Sequence, residues 1–175
     1  MRKLFGFHGG IHPPAHKTES TVRPIVHAPL PKCLVLPLKQ HAGDSAVAAV
    51  QIGDTVLKGQ TIASPASNMS AAVHAPTSGR VMTIDRHAVP SADGHQDICI
   101  SIEVDGDDNS VPFTPFPFEQ KTRAAVLDYL RLMGVVGLGG AVFPSAAKLA
   151  AGTVNERLNE HCQFRHQLIF SRKDI

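Results

Sequence analysis

Cysteine is scarce in this 175-residue chain: Cys33, Cys99 and Cys162 lie more than sixty residues apart. They form no C-x-x-C pair and no zinc-ligand spacing, and their odd number argues against a disulfide framework, so reduced, mostly buried thiols are expected. Charge of one sign is also lacking. Lys and Arg number 17 against 15 Asp and Glu, a formal net charge of +2 with the basic residues scattered, which removes the electrostatic case for nucleic acid as a partner. No long apolar run is present. The most apolar stretch, residues 124–143, is interrupted by Asp128 and Arg131 and carries four glycines, whereas a membrane span needs about 20 predominantly apolar residues. The opening MRKLFGFHGG starts with a basic pair but has no apolar run behind it, so a cytoplasmic chain is expected, with membrane contact made through partners. No general acid, base or nucleophile constellation is visible: the one tyrosine, Tyr129, falls in a helical stretch, and no serine sits in a G-x-S-x-G elbow.

What is present suits a folded globular protein, with 43% apolar and 18% charged residues. Residues 1–31 are rich in histidine and proline without periodicity and read as an extended arm lying across a folded domain. His8, His12 and His16 recur every four residues. Gly9-Gly10 and Pro13-Pro14 fall between them and break the helix that a metal-binding stripe would need, so no metal site is assigned.

From residue 32 to residue 112 the pattern is β. Strands are predicted over residues 33–38 and 47–50, between Gly53 and Gly59, and over residues 80–84. Ile98, Ile100, Ile102 and Val104 alternate with Cys99, Ser101 and Glu103 at the period of a half-buried strand. The strings G-D-x-V-x-x-G-Q (residues 53–60) and A-P-x-S-G-x-V (residues 75–81) resemble the barrel-sandwich hybrid of lipoyl and biotin carrier domains. A carrier needs a lysine at the hairpin tip between them, because only an amine forms the amide to lipoate or biotin. Between Lys58 and Arg80 there is none, and the tip reads Ser67-Asn68-Met69-Ser70. The module is therefore read as this fold in unmodified form, with packing and docking as its role. DGDDN at residues 105–109 lacks the glycine and closing glutamate of an EF-hand and is read as a polar turn. VPFTPFPF at residues 111–118 reads as an extended linker whose three rings pack against both neighbours.

Residues 119–133 read as one helix, with Val126, Leu127, Leu130 and Met133 on one face and Gly134 as its stop. The helix aims the densest glycine cluster of the chain, GVVGLGGAVFPSAAKL at residues 134–149. Glycines this close let backbone amides approach a ligand. Pro144 and Ser145 can start a second helix, whose free amides and dipole favour a phosphate, with Lys148 adding a charge. The cluster has neither the Gly-Lys-Ser/Thr ending of a P-loop nor the spacing of G-x-G-x-x-G.

GLGGAVFPSAAK at residues 137–148 resembles the flavin-mononucleotide loop of the flavoprotein subunit of respiratory complex I, G-x-G-G-A-G-F-P-S/T-x-x-K. It is more similar to the RnfC family of the bacterial Rnf electron transport complex, whose members also open with a segment like FHGGIHPPAHK, here residues 7–17. Val142 stands where the pattern has its second-cluster glycine. The resemblance implies a mostly β fold with an α/β C-terminal part: an arm (1–31), a barrel-sandwich hybrid (32–112), then a helix, the flavin-type loop and the start of a nucleotide-binding α/β domain (119–175). It implies FMN held by backbone amides of Gly137, Gly139, Gly140 and Ala141, a loop shaped by Phe143-Pro144, and Lys148 pairing with phosphate.

The family uses NADH as substrate and carries 4Fe–4S clusters, whose C-x-x-C-x-x-C-x-x-x-C-P ligand runs this chain does not contain. It works with other subunits of a membrane complex, peripherally at the cytoplasmic face of the bacterial inner membrane, where electrons pass from NADH through flavin and the clusters to drive ion movement. After Lys148 the N-G/A-A-E-C-E-P run of the family is missing. Thr153 and Glu156 suit a capping box, and residues 167–170 a strand. The chain reads as an N-terminal portion truncated or frame-altered near residue 150, expected to purify colourless. The alternative is a non-catalytic docking or assembly module.

Overall fold

A computed structural model describes residues 14–90 and 94–150. His8, His12, Cys162, the capping box at Thr153 and Glu156, and the strand over 167–170 lie outside the described residues.

Among the described residues seven strands build two antiparallel sheets. The larger has the order β1 (Cys33–Pro37), β7 (Gln96–Val104), β6 (Gly79–Ala88), β3 (Thr55–Val56), and the smaller β2 (Val47–Ala48), β4 (Thr61–Ser64), β5 (Val73–His74). Their facing sides enclose one core of Leu38, Ala46, Val56, Ile62, Ala63, Val73, Ala75, Val81, Ile100 and Ile102. Val56, Ile62, Ile100 and Ile102 are fully buried, and burying each such side chain favours folding by about 1.5–3 kcal/mol.

The polar letters of the two carrier-like strings make the turns. Asp54 Oδ2 accepts the Gln51 amide at 2.8 Å and Gln60 Oε1 accepts the Leu57 amide at 3.0 Å, so the short β3 is closed at both ends and Val56 is left pointing inward. The serine tip, exposed at Ser67 and Asn68, is tied down to the neighbouring loop. Met69 O accepts the Asp44 amide at 3.0 Å and Ser67 donates to Asp44 at 2.6 Å. A side chain at Gly43 would run into the Met69 carbonyl.

Several expectations are corrected. β6 reaches Ala88 instead of residue 84, and β2 is only two residues long. β7 does not alternate, because Cys99 and Ser101 are buried along with Ile100 and Ile102, while Ile98 is exposed. The register shift between Val81 and Thr83 breaks the simple period, and His87 lies over that side of the sheet, 3.4 Å from Ser101 Oγ. Cys33 is an exposed thiol. The arm is not wholly extended: α1 (Lys17–Thr21) forms within it, with His16 as its exposed N-cap at φ 48° beside Glu19. In the described part of the arm Val22, Ile25 and Val26 are solvent-exposed.

The acidic turn at residues 105–109 closes the barrel. Thr77 and Ser78, both fully buried, donate to Asp108 Oδ1 at 2.8 Å and Asp105 Oδ1 at 2.7 Å; Lys58 Nζ reaches Asp108 Oδ2 at 2.7 Å. The Lys58 and Thr77 bonds hold the Asp108 carboxyl below its ordinary range, and the Ser78 bond does the same for Asp105. The folded chain therefore binds fewer protons here than the unfolded chain. The resulting stability is complete above the unfolded carboxyl value of about 4 and is lost as pH falls through the lower folded values. Asp108→Asn, which keeps the size and tolerates the φ of 51° at this position, should lower the thermal midpoint at neutral pH. The gap from wild type should close in acid, as checked by thermal unfolding across a pH series.

Candidate functional site

The glycine cluster follows α2 (Arg123–Leu132), whose start and end both depart from the simple periodic reading. Thr122, not residue 119, opens the helix, accepting the Ala125 amide at 3.3 Å; residues Phe118–Gln120 form a separate 3-10 turn. Val126, Leu127 and Leu130 are half-buried, but Met133 is an exposed C-cap. Of the linker rings only Phe116 packs, stacked on Tyr129 at 3.8 Å and 6° between planes, while Phe113 and Phe118 are exposed. Such a pair adds about 0.5–1.5 kcal/mol beyond its buried area.

At its C-terminus α2 forms a Schellman closure. Val135 N–H bonds Leu130 O at 3.0 Å and Gly134 N–H bonds Arg131 O at 3.2 Å, with Gly134 at φ 68°. This end is docked on the barrel. Ala72 N–H donates to Arg131 O at 3.0 Å, and a Cβ on Gly134 would sit 2.7 Å from Ala72 O. His74 packs at the same junction. Burial depresses its imidazole, and a bond to the Leu132 carbonyl opposes that shift only in part.

The chain then makes a tight excursion. Val136 and Pro144 pair, Gly137 N–H bonds Phe143 O at 2.9 Å, and Val142 N–H bonds Gly139 O at 2.9 Å. Ser145 N–H returns to Val135 O at 3.1 Å and α3 (Ser145–Ala150) follows, with Pro144 fully buried ahead of it. Arg123 of α2 donates to Leu149 O at 2.7 Å, tying the two helices together.

The predicted site residues are thereby split. Gly137 uses its amide inside the excursion. Gly139, Gly140 and Ala141 are exposed, and their three consecutive amides have no protein partner among the described residues; open space lies over Gly139 and Gly140. Phe143 is partly exposed, and Leu138 at the tip is wholly exposed. Lys148 is an exposed residue of α3.

The excursion touches the barrel through Ala42, whose N–H lies 3.2 Å from Ala141 O and 3.3 Å from Val142 O. Beside it, buried His41 bonds Ala42 O and the Ala71 amide. Sequence reasoning missed His41 and Ala42: a histidine in a loop carries no periodic signal, and backbone contacts carry none at all. Among the described residues no group of three or more His, Cys, Asp or Glu could hold a metal ion, and no helix is long and apolar enough to cross a membrane.

Val142 is the departure from the glycine pattern, and its φ is 45°. A left-handed position costs an L-residue about 1–2 kcal/mol, and more for a β-branched one. Val142→Gly and Val142→Ala both remove the side chain, but only glycine relieves the backbone. The glycine variant should be the more stable by about 1 kcal/mol in denaturant unfolding, reversing the order found at an ordinary helical position.

Residues 5–107 match the family model described as the RnfC barrel sandwich hybrid domain. The chain is 47% identical over 152 residues to the C subunit of the ion-translocating oxidoreductase complex of Pseudomonas aeruginosa, an alignment covering 86% of this chain and 20% of that protein. It is 41% identical over 151 residues to the protein of the same name from Vibrio cholerae, covering 86% and 20%, and 39% identical over 151 residues to that of Serratia proteamaculans, covering 86% and 21%. The chain thus spans about a fifth of the length of the curated relatives it matches.

Proposed function

The chain belongs to the RnfC family, and from that premise we propose that it is the N-terminal part of one component of an ion-translocating oxidoreductase complex. In this reading the division is an arm (1–31), an unmodified barrel-sandwich scaffold (32–112) and the beginning of a nucleotide-binding α/β unit (119–175). The unit contributes one edge of a flavin site to a peripheral subunit on the cytoplasmic face of the membrane. Electrons would enter there from NADH and leave through 4Fe–4S clusters toward partner subunits and ion movement.

The observation that carries the reading is the run of three exposed amides at Gly139, Gly140 and Ala141, which have no partner among the described residues. Adjacent free N–H groups suit an anion, and they fit the phosphate end of FMN. Gly137 serves the loop's own closure, Phe143 supplies a partly exposed ring beside the donors, and Lys148 adds positive charge on the following helix. When bound, flavin supplies the conversion of a two-electron hydride into single-electron transfer; the protein's part is to position it.

A second reading, a docking or assembly module without redox activity, is favoured by the exposed apolar arm residues Val22, Ile25 and Val26. Titration of the 15N-labelled chain with FMN, and with riboflavin as a control lacking the phosphate, separates the two. FMN but not riboflavin should shift the Gly139, Gly140 and Ala141 amides, with Lys148→Ala weakening the response several-fold. Unmoved amides at millimolar FMN would overturn the flavin reading and leave the docking one.

A further inference from the structure

Between residues 137 and 143 the backbone hydrogen bonds to the barrel are made by Ala42 alone among the described residues. Ala42 is in turn fixed by its neighbour. His41 is only 8% exposed, with Nδ1 2.9 Å from Ala42 O and Nε2 3.0 Å from the Ala71 amide nitrogen. A carbonyl oxygen can only accept and an amide N–H can only donate. Both bonds coexist in one state of the ring: neutral, with its proton on Nδ1. The other tautomer, or the cation, places a proton on Nε2 against the Ala71 N–H and leaves a buried donor without a partner.

We propose that His41 is the positioning residue of the glycine-rich turn, and that its neutral Nδ1–H tautomer is the state in which the turn is seated on the barrel. Ala71 directly follows the serine tip, so the ring links the end of the tip, through Ala42, to Ala141 and Val142. The functional consequence, presentation of the three free amides, rests on the flavin reading above; the seating itself does not.

The charged or titratable groups on the surrounding elements are Lys39 and Asp44 on the same loop, His74 on β5, Arg123, Asp128, Tyr129 and Arg131 on α2, and Lys148 on α3. Asp44 is engaged by Ser67, and Arg131 by Asp128. The turn from 137 to 143 carries no charge of its own. Both ring nitrogens of His41 are occupied by backbone groups, so its protonation acts directly on the tip and, through Ala42, on the turn.

The test follows imidazole nitrogens and backbone amides of the full 15N-labelled chain by NMR from about pH 8 to about pH 5, the range in which histidines titrate. At the upper end the His41 proton should reside on Nδ1. On acidification the amides of Ala42, Ala71 and Gly139 to Val142 should shift with one midpoint, that of the His41 ring. His41→Phe should abolish the common shift, and His74→Gln should retain it.

A proton found on Nε2, turn amides that stay still while the ring titrates, or a shift that survives in His41→Phe would each overturn the proposal. If His41→Phe fails to fold, the tautomer and the shared midpoint in the wild-type chain decide the matter alone. No flavin enters the experiment, so its result and that of the FMN titration stand or fall separately.

Discussion

The last carbonyls of a helix have no partner within it, and how those of α2 are satisfied sets where everything after them lies. Arg131 O accepts from Gly134 and from Ala72 of the barrel, and the Leu132 carbonyl meets His74. Gly134 permits this because its left-handed φ completes the Schellman closure and because no side chain comes between it and Ala72. The helix is thereby anchored at its end, and the glycine excursion leaves from a fixed point. Helix packing alone would not do this, since no residue of α2 is fully buried.

The parts legible in the sequence were those with a period or a required residue type. Short strands, the stop at Gly134, the helix start at Pro144-Ser145 and the carrier-like strings fall into this class. The lack of a tip lysine was legible for the same reason. Illegible features depended on what lies opposite. The alternation in β7 pointed to one buried face, but the sheet has cover on both sides near Cys99 and Ser101. The phenylalanines of the linker looked equivalent, yet only Phe116 has a ring to stack on. The helix start was misplaced because Thr122 offers a side-chain cap that the apolar stripe does not register.

The candidate site divides along the same line. Glycine density identified the loop and its exposed amides. It did not reveal that Gly137 spends its amide on Phe143, nor that the valine at 142 occupies a left-handed position. The histidines that drew attention by spacing were those of the arm, of which His16 stands at the N-cap position of a five-residue surface helix without a side-chain capping bond. Among the described residues the histidine with a buried, fully bonded ring is His41, found only once the tip and the turn are seen on either side of it.

The tied-down tip also bears on how such a module can change over generations. In a carrier the corresponding bend must stand clear so that a modifying enzyme can reach its lysine. Here Met69 is bonded to Asp44, and Gly43 fits only because it has no side chain. A lysine in place of the half-buried Met69 would supply the amine on a bend whose backbone is bonded down to Asp44. A swinging arm would require the 41–44 loop to be rebuilt as well, and that loop carries Ala42, on which the turn is seated. A single substitution would thus not turn this module into a carrier.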